Sequence, residues 1–123
     1  MSDTRKKIFV VEDDPDVLTL IQNLFAEKKI SASYFNSSQE GLKEIIKQQP
    51  NLVIIDLMMP GISGFEVTGH IRKNQKLKHI AIMVITGYDS PRMRNEIFSY
   101  GIDDYLPKPF DIHEFLEKVN RFL

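Results

Sequence analysis

Three acidic residues directly follow a short apolar run near the start of the chain. Glu12, Asp13 and Asp14 come after Ile8–Val11 and before Pro15. Carboxylates held a few ångströms apart repel one another, and each pKa unit of that repulsion costs about 1.4 kcal/mol. A cation, a helix N-terminus or water on an exposed turn could compensate for this repulsion.

Three more polar residues, Asp56, Thr86 and Lys108, come at or just after the ends of later apolar runs. If these runs are parallel strands of one sheet, their carboxyl ends meet at the same edge. The three side chains would then lie beside the acids that follow the first run. The sequence therefore predicts one polar site at this edge of the sheet.

The acids at this edge have the chemistry of a magnesium site. Asp14 precedes Pro15 and is placed to cap a helix, which leaves Glu12 and Asp13 to face Asp56. Three converging carboxylates need a cation among them. Mg²⁺ is suitable because it prefers oxygen ligands, needs few carboxylates and keeps waters that a phosphate can replace.

Five segments of the chain are predicted to be strands. Four are apolar runs that read as strands buried on both faces, and a fifth, less regular segment alternates apolar and polar residues. These segments are 8–11, 30–35, 52–55, 80–85 and 105–106.

The segments between the predicted strands have helical periodicity and helix-start signals. The clearest apolar face is that of Val17, Leu18, Ile21, Leu24 and Phe25. Each of the five helices is preceded by a Ser or Asp that can cap its first turn. These predicted caps are Asp14, Ser37, Ser63, Ser90 and Asp111.

Alternating strands and helices predict an α/β fold of the doubly wound (βα)5 type. Right-handed crossovers place helices on both faces of a parallel sheet, which gives a three-layer sandwich. For five strands the expected order is 2-1-3-4-5, and ligands bind at the carboxyl ends of strands 1 and 3.

Length and composition limit the classes of function. The 123 residues, 42% hydrophobic and 27% charged, predict a single domain over 1–123 with no output domain. Because 16 Lys and Arg balance 17 Asp and Glu, we expect no direct binding to nucleic acid. The absence of Cys and of any long apolar run predicts a cytoplasmic protein without membrane insertion.

Taken together, these residues resemble the response-regulator receiver domain of two-component signalling systems. The resemblance is carried by Glu12-Asp13, Asp56, Thr86 and Lys108, with the MMPGISG loop that begins at Met58 and the KPF tripeptide that begins at Lys108. The resemblance covers essentially the whole chain. The chain is similar to stand-alone receivers with a chemotaxis-regulator-like fold.

The resemblance implies a role for each residue of the site. Asp56 would accept a phosphoryl group from a phosphohistidine on a sensor histidine kinase or a histidine phosphotransfer protein. Asp13 would bind Mg²⁺ directly, Glu12 through water, and Asp56 and the Met58 backbone carbonyl would complete the protein ligands. Lys108 and Thr86 would contact the transferred oxygens.

The resemblance also implies a switch and a mode of signalling. Thr86 would move toward the phosphoryl group, and Tyr105 would turn inward as it does. The helix after Ser90, the fifth strand and the last helix would form the binding face for an unknown downstream protein. The chain would then be a signalling phosphoacceptor that assists its own phosphorylation and dephosphorylation, and not an enzyme.

Other interpretations of the same residues remain open at this point. Glu12 and Asp13 could form a solvated turn, Lys108 an ordinary salt bridge, and Tyr105 a packing contact. The chain could be a binding module that has lost phosphotransfer. It could also be a Mg²⁺-dependent aspartyl phosphohydrolase, although Met58 stands where such an enzyme has its second carboxylate.

Overall fold

The computed structural model describes residues 6–123, in which strands and helices alternate along the chain. A short 3₁₀ turn at Gln75–Leu77 precedes the fourth strand. The elements are β1 (Ile8–Val11), α1 (Pro15–Glu27), β2 (Ser33–Phe35), α2 (Ser38–Gln48), β3 (Leu52–Asp56), α3 (Gly64–Lys73), β4 (Ala81–Thr86), α4 (Pro91–Ser99), β5 (Asp104–Pro107) and α5 (Ile112–Asn120).

The strands form one parallel sheet in the order β2-β1-β3-β4-β5, as predicted. β1 and β3 lie side by side at the centre, with Val11 opposite Ile55 in the register. The chain winds outward in both directions from this pair, so the carboxyl ends of β1 and β3 border the crevice where ligands bind in such sheets. The predicted fold class is confirmed.

Two apolar cores lie on the two faces of the sheet. On one face α1 and α5 pack against Ile8, Val10 and their neighbours, and on the other α2, α3 and α4 pack against Phe9 and Val11. Successive side chains of a strand point to opposite faces, so β1 supplies both cores from four consecutive residues. The sheet is therefore buried on both sides, which confirms the three layers.

All five predicted helix caps are observed. Each cap side chain accepts a hydrogen bond from a backbone N–H in the first turn of its helix. Such a bond satisfies a donor that the helix leaves unpaired and contributes about 1 kcal/mol. The caps are Asp14, Ser37, Ser63, Ser90 and Asp111.

Two strands begin later than predicted, because the preceding helical turn uses the backbone N–H of the residue that was expected to start the strand. The second strand starts at Ser33 and not at Ile30, because the Ile30 N–H donates to the Phe25 carbonyl at 2.8 Å and closes α1. The fourth strand starts at Ala81, because the Ile80 N–H donates to Leu77 in the 3₁₀ turn. β3 continues through Asp56, and β5 spans 104–107.

Within residues 6–123, no helix combines the length and the apolar character that crossing a bilayer requires.

Arg72 ties three segments together at the end of the sheet opposite to the polar site. Its guanidinium donates to the Gly101 carbonyl at 2.7 Å, to the Ile80 carbonyl at 2.8 Å and to the Asp103 carboxylate at 3.0 Å. The same Asp103 oxygen accepts the Ile82 N–H at 2.8 Å. One side chain therefore links α3 to the start of β4 and to the loop before β5.

We expect Arg72→Ala to lower the free energy of unfolding by about 1.5–3 kcal/mol, because it leaves two carbonyls and a carboxylate without their charged donor. Urea unfolding measures the difference. Arg92→Ala is the matched control, since Arg92 is exposed on α4 and has no ion-pair partner among residues 6–123. Equal effects of the two substitutions would contradict the bridging role of Arg72.

Candidate functional site

Three carboxylates converge at the carboxyl ends of β1 and β3. Glu12 and Asp13 follow β1, and Asp56 is the last residue of β3. One oxygen of each residue lies within 4.8 Å of the oxygens of the other two. Glu12 is fully buried and Asp56 is 6% exposed, whereas Asp13 is only partly covered. The predicted convergence is therefore present in the structure.

Asp14 is turned away from this cluster, as predicted. Its carboxylate accepts the Asp16 N–H at 2.9 Å and caps α1. Its own N–H donates to Glu12 Oε2 at 3.2 Å. Of the three consecutive acids, Asp14 therefore caps α1, whereas Glu12 and Asp13 belong to the site.

Lys108 places its ammonium group between two of the acids. Its Nζ donates to Glu12 Oε1 and, at 3.0 Å, to Asp56 Oδ2. Its backbone N–H donates to the Thr86 carbonyl at 2.7 Å, which fixes the residue beside the end of β4. The following Lys108–Pro109 peptide is cis. Lys108 follows β5, the strand next to β4, and its side chain reaches back into the site.

Burial dominates the electrostatics of Glu12. It raises the pKa of this carboxyl from an ordinary 4.5 to about 7; Lys108 opposes the shift and the Asp56 charge adds to it. Burial alone would lower the pKa of Lys108, but its bonds to Glu12 and Asp56 outweigh burial and raise it. The ammonium therefore stays charged at neutral pH.

The donor set fits a hard divalent cation. Ionised, the three carboxylates would carry three negative charges, and Lys108 supplies a single positive charge. Oxygen ligands and an excess of negative charge are what Mg²⁺ requires. Asp13 accepts no hydrogen bond from a side chain in residues 6–123, so its oxygens are available to a ligand.

Thr86 and the residues beside Asp56 complete the rim of the site. Thr86 is fully buried at the end of β4, and its Oγ1 accepts the Tyr88 N–H at 3.1 Å. The Met58 N–H donates to Asp56 Oδ1 at 3.1 Å and orients the carboxylate. Met58 and Tyr88, two residues beyond Asp56 and Thr86, are 53% and 58% exposed.

The family model described as the response regulator receiver domain matches residues 8–120. The chain belongs to this family. Receiver domains are signalling domains that act with histidine kinases or phosphotransfer proteins, and members of the family bind Mg²⁺ at an acidic site. The alternation of strands and helices and the polar residues at the strand ends are the sequence features that predicted this family.

Relatives of this receiver domain include longer regulators. It is 28% identical over 117 residues to the DNA-binding dual master transcriptional regulator RpaA of Synechocystis, covering 95% of this chain and 48% of RpaA. It is 31% identical over 117 residues to the response regulator ArlR of Staphylococcus saprophyticus, covering 95% and 52%. The chain therefore spans about half the length of these curated relatives.

Among solved structures, the receiver domain of the Francisella response regulator 1452 is similar to this chain. The two share 30% sequence identity and superpose with a TM-score of 0.88, over 96% of each chain.

Tyr105 of this receiver domain lies in the buried position. The side chain is 6% exposed, and its hydroxyl donates to the Tyr88 carbonyl at 2.6 Å. The Phe98 ring centroid is 6.3 Å from that of Tyr105. The resemblance implied that this ring turns inward when Thr86 moves; the ring is buried in the structure, and the movement stays a prediction.

An arginine that sequence reasoning missed covers Tyr105. The Arg94 guanidinium carbon lies 5.2 Å from the centroid of the Tyr105 ring, a cation–π distance. Arg94 also donates to both oxygens of Asp89, at 2.6 and 3.0 Å. No sequence motif marks this group, because its members come from a loop, a helix and a strand. The contacts hold the loop after β4 against Tyr105.

The three histidines and two of the methionines lie outside the acidic cluster. His70, His79 and His113 are exposed on the surface. Met59 and Met83 are buried in the two cores, as filler residues would be.

The free energy of unfolding of the metal-free protein should depend on pH because Glu12 titrates at a higher pH in the folded state. Because the folded state keeps this proton to a higher pH than the unfolded chain, the contribution of Glu12 falls as pH rises from about 4.5 to about 7. Relative to the wild type, Glu12→Gln should therefore gain about 2–3 kcal/mol between pH 5 and 8, at about 1.4 kcal/mol per pKa unit. Urea unfolding in EDTA measures the gain. A difference independent of pH would contradict it.

Proposed function

We propose that Asp56 accepts a phosphoryl group from a phosphohistidine on a sensor histidine kinase or histidine phosphotransfer protein, with Mg²⁺ as the cofactor. One observation carries this proposal: the Asp56 carboxylate lies within 4.8 Å of the Glu12 and Asp13 oxygens and 3.0 Å from Lys108 Nζ. Three carboxylates and a fixed ammonium group therefore meet at one point, which supports the assignment of a nucleophile, of ligands for a hard cation and of a positive group for the transferred oxygens.

The transfer joins an Asp56 oxygen to phosphorus. As this O–P bond forms, the bond from phosphorus to the histidine nitrogen breaks, and the nitrogen keeps the electron pair. The product is an acyl phosphate. Charge on the transferred oxygens needs positive groups that are already in place, and Lys108 is held there by its backbone and side-chain contacts.

Glu12, Asp13, Asp56 and the Met58 carbonyl are the proposed protein ligands of Mg²⁺, with Glu12 acting through water. When bound, the ion would neutralise charge on the phosphoryl oxygens. The excess negative charge of the carboxylates over Lys108 supports this assignment. Asp13 supports it further, because its carboxylate is partly open to solvent beside two buried acids.

Gly87 supports an open approach to Asp56. A Cβ added to this residue would meet no atom within 4 Å, so the space beside it is not needed for packing. Thr86, which precedes it, has its hydroxyl proton available because its Oγ1 acts as an acceptor toward Tyr88. We assign Thr86 as the donor to the phosphoryl group.

We assign Thr86 and Tyr105 as the switch and α4, β5 and α5 as the face that binds a downstream protein. The support is a chain of contacts from the site to the surface: the Tyr88 N–H bonds to Thr86, and the Tyr88 carbonyl accepts the Tyr105 hydroxyl. A phosphoryl group adds about 1.5–2 negative charges near Thr86. Movement of Thr86 would thereby reach Tyr105.

The test is phosphorylation by a small donor. The protein is incubated with Mg²⁺ and acetyl phosphate, and its intact mass is compared with that of Asp56→Asn. We expect one added phosphoryl group that requires Mg²⁺ and is absent from the variant, because the neutral amide is not an effective nucleophile. The matched control is Asp14→Asn, which changes a neighbouring acid that caps α1.

Other outcomes separate the alternatives. Continuous release of phosphate from small esters without an accumulating adduct would favour the phosphohydrolase. No adduct from acetyl phosphate or from a phosphorylated histidine phosphotransfer protein would favour the binding module. A phosphoryl group retained in Asp56→Asn would place the acceptor elsewhere.

We expect a long phosphorylated lifetime, because the exposed Met58 and Tyr88 side chains restrict attacking water. Met58→Asn and Tyr88→Glu should each speed dephosphorylation by up to about tenfold, which corresponds to about 1.4 kcal/mol of barrier. The decay of the adduct after removal of the donor measures the rate. Met58→Leu and Tyr88→Phe keep the bulk and should decay as the wild type does. Unchanged decay in both polar variants would refute the assignment.

A further inference from the structure

Helix α3 presents a face that no other element among residues 6–123 covers. Glu66, Gly69, His70 and Lys73 recur at the spacing of one helix face, and the three charged or titratable side chains are exposed. Together with Phe65 and Tyr100 they line an open cavity of about 280 Å³. None of these residues belongs to the acidic site or to the proposed switch.

Packing within the described part of the chain does not require a glycine at position 69. A Cβ added to it would meet nothing within 4 Å, although glycine is the poorest helix former after proline. Gly64 in the same helix is different, because its added Cβ would lie 2.6 Å from the Asp56 carbonyl oxygen. Gly69 therefore leaves a hollow on the surface, next to the rings of Phe65 and Tyr100, whose centroids are 5.2 Å apart.

Opposite charges flank this hollow at equal distances along the helix. Glu66 lies one turn before the midpoint between Gly69 and His70, and Lys73 lies one turn after it. Within residues 6–123, neither Glu66 nor Lys73 forms a salt bridge. When the helix is reversed end to end, Lys73 takes the position of Glu66 and Glu66 that of Lys73. A reversed copy of the helix would therefore place an opposite charge against each of these residues.

We propose that this face forms a symmetric dimer in which two α3 helices pack antiparallel. The two-fold axis passes between Gly69 and His70, so Glu66 faces the partner subunit's Lys73, and Lys73 faces the partner subunit's Glu66. The imidazole of the partner subunit's His70 enters the hollow over Gly69. A two-fold interface must be self-complementary in this way.

A second copy fits this face better than an unrelated protein, because both charges are balanced by the two-fold operation alone. The hollow at Gly69 lies at the centre of this face and the two charges lie toward its ends, so charged residues are kept out of the centre, as in the usual interface. Weak interfaces bury less than about 1,200 Å² in total, and a contact built on one helix belongs to that class. Self-association should therefore appear only at high protein concentration and should weaken with salt.

Sedimentation equilibrium of the full chain over a concentration series at low salt tests the proposal. We expect the weight-average mass to rise from 14.3 kDa toward twice that value. Glu66→Lys alone and Lys73→Glu alone should each lose this rise, because like charges then face one another. An equimolar mixture of the two single variants should recover it, and so should the double variant.

Glu27→Lys is the matched control, since it makes the same charge change at the exposed end of α1 and should associate as the wild type does. Gly69→Leu keeps both charges, fills the hollow and should lose association. A wild-type chain that stays monomeric at the highest concentration would overturn the proposal. So would single variants that still dimerise, or a mixture of them that stays monomeric.

Discussion

The crowding of negative charge at the ends of β1 and β3 is the constraint on which the rest of the site depends. Glu12 is fully buried, and a buried carboxylate without a partner costs about 3–5 kcal/mol. Lys108 relieves this cost, but it comes from the edge strand β5, two strands away from β3. Its backbone is fixed on Thr86, and its long side chain reaches back to Asp56 and Glu12. The strand order therefore places the positive charge of Lys108 within reach of the two buried acids.

Most of the fold could be predicted because its signals are local. Helix caps and buried strands depend on residues within one turn or one run, and the caps at Asp14, Ser37, Ser63, Ser90 and Asp111 all formed. The position of the site followed from topology. In a parallel sheet the strands share a carboxyl edge, so polar residues far apart in sequence had to meet there.

The parts that sequence reasoning missed depend on contacts between distant segments. Ile30 could have continued a strand, but its N–H closes α1 on the Phe25 carbonyl. Arg72 could have been an ordinary surface residue, but the loop before β5 supplies an acceptor 29 residues away. Arg94 has no motif, because its partners are Asp89 and the Tyr105 ring. In each case tertiary packing selected one partner among many that local patterns allow.

The loop after β4 links the site to Tyr105 through two hydrogen bonds. One is made by the backbone N–H of Tyr88 and the other by its backbone carbonyl. The N–H of Tyr88 is held by Thr86 inside the site, and the carbonyl of Tyr88 is held by Tyr105 under Arg94. A shift of Thr86 must therefore break the first bond or move the acceptor of the second. The Asp89–Arg94 pair is exposed and screened by solvent, so it adds little energy against such a shift. The covered position of Tyr105 therefore depends on where the Tyr88 carbonyl lies, as well as on the packing of the ring in the core.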